Sequence, residues 1–197
     1  GVGTFTGNTF QSISQDLELR FSNSGNLVVT NNNINGGGLE ISEHNTASGT
    51  VTVSGNTFNG TFGNTYTNIL RLKNNQVQKP TTISGNTFTN TVWAASLENY
   101  RDVTFNNNTF TPLSGSTTYQ HIAVNTKLFS SGSATNVQTA IDGTFTKNTF
   151  NGSGTTGGKA MVFNNHHSAA TSYGTFTIGT SGNENNFNTG IQDFIFF

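Results

Sequence analysis

One short motif recurs along this chain at changing intervals, and it limits the possible folds more than any other feature. It reads Thr4-Phe5-Thr6-Gly7-Asn8-Thr9-Phe10 at its first appearance. It returns as Val28-Val29-Thr30-Asn31-Asn32-Asn33-Ile34, Thr52-Val53-Ser54-Gly55-Asn56-Thr57-Phe58 and Thr82-Ile83-Ser84-Gly85-Asn86-Thr87-Phe88. Two further copies begin at Thr104 and Thr144, and a degenerate last copy runs from Thr175-Phe176-Thr177-Ile178 through an insertion to Asn185-Asn186-Phe187. The motif asparagines are Asn8, Asn32, Asn56, Asn86, Asn108, Asn148 and Asn185, so successive separations are 24, 24, 30, 22, 40 and 37 residues. A constant motif on a variable period describes a fixed structural corner joined by loops of different length. Repeats with a strict five- or six-residue period do not fit.

Between the corners lies a second pattern. Leu17-Glu18-Leu19-Arg20-Phe21, Leu39-Glu40-Ile41, Leu70-Arg71-Leu72-Lys73 and Ala95-Ser96-Leu97-Glu98 alternate apolar and polar residues, and shorter versions follow at Ile122, Met161 and Phe194. Period-two alternation marks half-buried strands. Each repeat therefore supplies at least two strands, with a third expected at the corner Phe. In a parallel stack, equivalent residues of successive turns lie about 4.8 Å apart. Phe5, Val29, Val53, Ile83, Phe105, Phe145 and Phe176 are expected to form one inward column; Phe10, Ile34, Phe58, Phe88, Phe110, Phe150 and Phe187 form another. The corner backbone needs hydrogen-bond partners where it leaves the ladder. Asn offers a donor and an acceptor and tolerates left-handed geometry, so the motif asparagines are expected to stack as a ladder. A looser second column is expected at Asn23, Asn74, Asn99 and Asn165.

Composition agrees with an ordered, uncharged, polar solenoid. Only 31% of residues are hydrophobic and 9% charged, yet the net charge is −1 and there are 17 Phe, unlike the highly charged composition of disordered chains. The 23 Gly and the abundant Asn, Thr and Ser suit turns and strands better than helices. Cysteine is absent, which removes disulfides and thiolate chemistry. Lys and Arg are scattered, so no nucleic-acid surface is expected. No apolar run approaches the roughly 20 residues of a membrane-spanning helix.

The wording (V/I/F)-(S/T)-(G/N)-N-x-F resembles the repeats of right-handed parallel β-helix proteins, the pectate-lyase-like solenoids, and most of all those of bacterial surface and secreted adhesin-type members. The resemblance covers nearly the whole chain. It implies an all-β, single-stranded right-handed parallel β-helix of about seven rungs, with an Asn ladder and Phe stacks, forming one domain over residues 1–197. It also implies a secreted or cell-surface location. Proteins of this shape include polysaccharide lyases, glycoside hydrolases, phage tailspikes and non-catalytic adhesins, so the fold does not select an activity. The first motif begins at Thr4 and an apolar strand reaches Phe197. Open solenoid ends need covering. The chain is therefore expected to be a segment of a longer protein, its ends covered by further rungs, another domain or another chain.

No acid pair announces a hydrolase or lyase. With the second strands aligned on their inward Leu and Ile, Arg20, Glu40 and Arg71 fall in one outward column and Lys73 and Glu98 in the next. Opposite charges on adjacent strands stabilise a sheet modestly, and exposed pairs are weak. The best candidate ligand site is Glu98, Tyr100, Arg101 and Asp102, which follow the only tryptophan, Trp93. A glycan cleft combines an aromatic platform with a few polar groups, against which stands the plainer reading of a solvated turn. Glu43-His44 and His166-His167 make poor chelates, because neighbours in a strand point to opposite faces. No metal, cofactor or catalytic residue is expected. Thr-rich faces raise ice binding, but spacings of 22 to 40 residues argue for an irregular array. The leading expectation is a non-catalytic adhesin-like segment acting as rigid spacer and polar binding surface. The alternative is a carbohydrate-active enzyme or glycan-binding tailspike-type protein.

Overall fold

The computed structural model describes residues 1–13, 17–21, 25–43, 49–60, 69–74, 80–98, 102–125, 142–154, 157–164 and 175–196. Its strands form three seven-stranded parallel sheets, and each sheet takes every third strand in chain order. The first rung shows the plan: β1 (Val2–Thr6) belongs to the first sheet, β2 (Thr9–Ile13) to the second and β3 (Leu17–Phe21) to the third. Each later rung lays one strand on each sheet, which makes the chain an all-β parallel β-helix with three strands per rung. The third strand per rung, expected at the corner Phe, is the second-sheet strand.

The corner between the first and second sheets is the repeated motif. In the first six rungs the residue before the ladder asparagine takes a left-handed conformation: φ is 69° at Gly7, 56° at Asn31, 64° at Gly55, 62° at Gly85, 56° at Asn107 and 56° at Lys147. Glycine and asparagine are the residues that adopt this geometry most readily, which explains their presence at five of these positions. The next residue, the ladder asparagine, turns its amide into the stack. Asn86 is representative. Its Oδ1 accepts from the backbone N–H and Nδ2 of Asn56, and its own Nδ2 donates to Asn108 Oδ1 and back to Val53 O. The same exchange links Asn8, Asn32, Asn56, Asn86, Asn108, Asn148 and Asn185 in one chain. Of the second asparagine column, Asn23, Asn99 and Asn165 lie outside the described residues, as does the side chain of Asn74.

Inside the second sheet, Phe58, Phe88, Phe110, Phe150 and Phe187 stack with ring centroids 4.8 to 5.1 Å apart and planes within 11° of parallel. The rung spacing brings each ring to van der Waals contact with the next, so a narrow core fills with few apolar residues. The first-sheet column differs from expectation at its end. Phe145 pairs with Ile178, whereas Phe176 pairs with Gly143. Gly143 has no side chain, and Phe176 packs where its Cβ would stand, 3.2 Å from Phe176 Cδ1.

The third sheet corrects a second expectation. Leu17 pairs with Leu39, so Glu18 stands beside Glu40, while Arg20 pairs with Ser42. Arg20 thus shares the column of Lys73 and Glu98, not that of Glu40 and Arg71. Leu17 and Leu19 both point to the core side. A slip of two residues therefore preserves the buried face, and alternation alone cannot choose between the two registers.

Candidate functional site

Six consecutive residues, Trp93–Glu98, form the third-sheet strand of the fourth rung. Trp93 stands at its start and Glu98 at its end, on the order of 16 Å apart at the usual rise per residue. The length of the strand therefore separates Trp93 from Glu98. Asp102 is exposed and lies beyond the strand, where its carbonyl accepts from Thr81 N–H at 3.1 Å. Tyr100 and Arg101 lie outside the described residues.

Glu98 belongs to a charge cluster that is buried, contrary to the expected solvated face. Glu98 is 0% exposed, Lys73 8% and Glu40 9%. Arg71 Nε donates to Glu98 Oε1 at 2.5 Å, Lys73 Nζ to Glu40 Oε1 at 2.6 Å, and Arg71 Nη1 to Glu40 Oε2 at 3.4 Å. The two shortest bonds run diagonally between rungs rather than straight across. Two acids and two bases neutralise one another, so neither carboxylate is held ready as a solvent-facing acid or base. Among the described residues there is no group of three or more His, Asp or Glu that could hold a metal ion.

Trp93 instead lines an open groove of about 640 Å³. The lining also takes in Leu113 to Ser116 and Thr118, a segment that turns at Gly115 with φ at 75°. Three of the lining residues stand in register on successive rungs, Trp93 paired with Gln120 and Gln120 with Lys159, and Lys159 pairs in turn with Asp193 beyond the lining. Lys159 Nζ lies 3.9 Å from Asp193 Oδ2. An indole, an amide and an ion pair thus follow one another at rung spacing. Only the cross-rung register brings them together. They are 27, 39 and 34 residues apart in sequence, from 93 to 120, 120 to 159 and 159 to 193, and no local motif joins them.

Two polar rings stand in the core beside the groove, and one of them, Tyr119, also lines it. Tyr119 is buried, and its hydroxyl donates to Gly190 O at 2.8 Å. His121 is fully buried beside the rings of Phe110, Tyr119 and Phe150, at centroid distances of 5.7, 5.0 and 5.9 Å. It lies 2.9 Å from Asn151 O through Nε2, while Nδ1 has no partner. A carbonyl only accepts, so Nε2 carries the proton and Nδ1 the lone pair. Burial disfavours the imidazolium and lowers the pKa to about 4, against a smaller opposing effect of the Asn151 carbonyl. Sequence inspection did not single out His121, because its burial follows from a break in alternation. His121 and Ile122 are both buried, as are Ala94 with Ala95 and Ala160 with Met161.

The chain matches no known family model, no curated protein and no solved structure. Fold and surface therefore define it only as a parallel β-helix with a polar exterior and an aromatic-lined groove. No helix among the described residues is long and apolar enough to cross a membrane.

Proposed function

We propose that the chain is a non-catalytic segment of a secreted or cell-surface adhesin-like protein, serving as a rigid spacer with a polar binding surface. One observation carries this reading: the asparagine ladder runs without interruption from Asn8 to Asn185 and ties seven rungs together through hydrogen bonds that are buried in the middle rungs and part-buried at the two ends. Such a rod resists bending, because displacing one rung breaks bonds on both sides of it. The test is antibody labelling of intact producing cells. Labelling without lysis, removed by added protease, supports surface display; labelling only after lysis refutes it.

A second reading is glycan binding, favoured by the groove at Trp93. Aromatic faces beside an amide and an ion pair suit the alternating apolar and hydroxyl surfaces of a sugar ring. Trp93 is the only tryptophan, so its fluorescence reports groove occupancy directly. Titration with a panel of neutral and acidic oligosaccharides, repeated with Gln120→Ala, tests the idea. A saturable shift that weakens in the variant supports binding. Release of reducing ends from the same glycans would instead favour an enzyme and defeat the non-catalytic proposal.

A further inference from the structure

Two adjacent outward columns of the first sheet form a regular, uncharged lattice; the next outward position towards the strand starts holds Asp102 and Asp142. At the same register position stand Thr4, Thr52, Thr82, Thr104, Thr144 and Thr177, interrupted only by Val28. Two residues along each strand a second column begins with Thr6 and Thr30, passes through Ser54, Ser84 and Asn106, and ends at Thr146. No residue of either column is charged and none is buried. The register runs through all seven strands without a shift.

The unequal repeat lengths do not disturb this array. The extra residues fall between strands, and the corner from the first to the second sheet keeps the same two residues in six rungs, from Thr6 to Thr9 in the first and from Thr146 to Thr149 in the sixth. The objection that spacings of 22 to 40 residues make the face irregular therefore fails. Neighbouring hydroxyls also order one another: Thr30 Oγ1 donates to Thr6 Oγ1 at 3.0 Å and Thr146 Oγ1 to Asn106 Oδ1 at 3.3 Å.

We propose that this face binds ice. Its two repeats are about 4.8 Å between strands and about 6.6 Å between alternate residues along a strand. The first is close to an oxygen repeat on a prism face of hexagonal ice, and the second is shorter than the other repeat of that face. Threonine presents a methyl and a hydroxyl at each lattice point. Methyl groups restrict the orientations of adjacent water, and hydroxyls anchor it by hydrogen bonds. A charged side chain would hold a hydration shell incompatible with the lattice. Neither column carries a charge, in keeping with a chain of which only 9% is charged. The second sheet is a poorer match: its register shifts between Phe10 and Ile13 and between Phe88 and Thr91. The inference goes beyond the spacer reading and does not depend on the groove.

The experiment follows single ice crystals in a solution of the 197-residue chain cooled just below melting. Wild type should facet the crystals and open a gap between melting and freezing points. Thr82→Tyr combined with Thr104→Tyr should abolish both effects with an unchanged protein melting temperature; Thr52→Lys with Thr144→Lys should do the same on other rungs. Thr57→Tyr with Thr109→Tyr on the second sheet should retain them. Round, unshaped crystals with wild type overturn the proposal, as does equal loss in the second-sheet variant. Wild type that leaves ice unshaped but pellets with microcrystalline cellulose would also overturn it, assigning the face to a crystalline polysaccharide.

Discussion

Asn86 Oδ1 accepts two hydrogen bonds from Asn56, one from its backbone N–H at 2.9 Å and one from its side-chain amide at 3.0 Å. Both residues are 1% exposed. Water cannot replace these bonds. Asn86→Ala removes the acceptor of the Asn56 backbone N–H and the side-chain donor to Val53 O, at about 1–3 kcal/mol for each group left unpaired, while Asn56 Nδ2 keeps its bonds to Val29 O and Ser54 O. The expected loss is on the order of 3 kcal/mol in urea unfolding. Asn8, partly exposed on the first rung, should lose far less as Asn8→Ala. Equal losses at the two positions would mean that the ladder does not draw its strength from burial.

The charge cluster carries an expectation that burial has reversed. As an exposed pair, Glu40 would contribute under about 1 kcal/mol. Glu40, Lys73 and Glu98 are buried while the Arg71 side chain is 21% exposed, so removing one partner should cost more than the roughly 1 kcal/mol of an exposed pair and at most the roughly 3–5 kcal/mol of a fully buried one. Glu98→Ala should therefore lower stability strongly. Asp193→Asn, which touches only the looser pair with Lys159 at 3.9 Å, should change it by less than about 1 kcal/mol. Chemical denaturation of the two variants side by side checks the ordering.

Much of this fold was legible because the residues that build it repeat. The ladder asparagines and the column from Phe10 to Phe187 occupy the positions that the motif assigns them. The third sheet was less legible for a physical reason: Leu17 and Leu19 both face the core, so either could have paired with Leu39. Burial of Glu98 was invisible for another. Alternation places it outward, yet from Ala94 to Glu98 every residue is buried. The groove depends on Trp93, Gln120 and Lys159 meeting across rungs, which no local spacing encodes.

His121 makes stability depend on pH. Its folded pKa of about 4 lies below the ordinary value of 6.5, so the unfolded chain takes up a proton first as pH falls. The stabilisation is complete above pH 6.5 and is lost as pH falls from there towards 4. Linkage puts the full effect at roughly 3 kcal/mol. His121→Phe, whose ring suits the surrounding aromatic stack, should flatten the melting temperature over this window while giving up the bond to Asn151 O. A wild-type melting curve already flat between pH 6.5 and 4 would show that His121 does not titrate as argued.

Lys147 is the one corner residue that the left-handed conformation does not favour. It has φ of 56°, and five of the equivalent residues in the other rungs, Gly7, Asn31, Gly55, Gly85 and Asn107, are glycine or asparagine. An L-residue with a Cβ is about 1–2 kcal/mol less stable in this region than in the right-handed one. The side chain is exposed, so it has little packing to offset that strain. Its backbone N–H still donates to Asn183 O at 3.3 Å, a bond that substitution of the side chain leaves in place. Lys147→Gly relieves the strain but adds freedom to the unfolded chain; Lys147→Asn relieves part of it at a smaller entropic cost. Both variants should raise stability, by up to roughly 1 kcal/mol, with Asn86 and the rest of the ladder unaffected. Thermal melts of the two variants against wild type decide the matter. A lower melting temperature for both would mean that the lysine side chain itself stabilises this corner, through a contact stronger than the backbone strain.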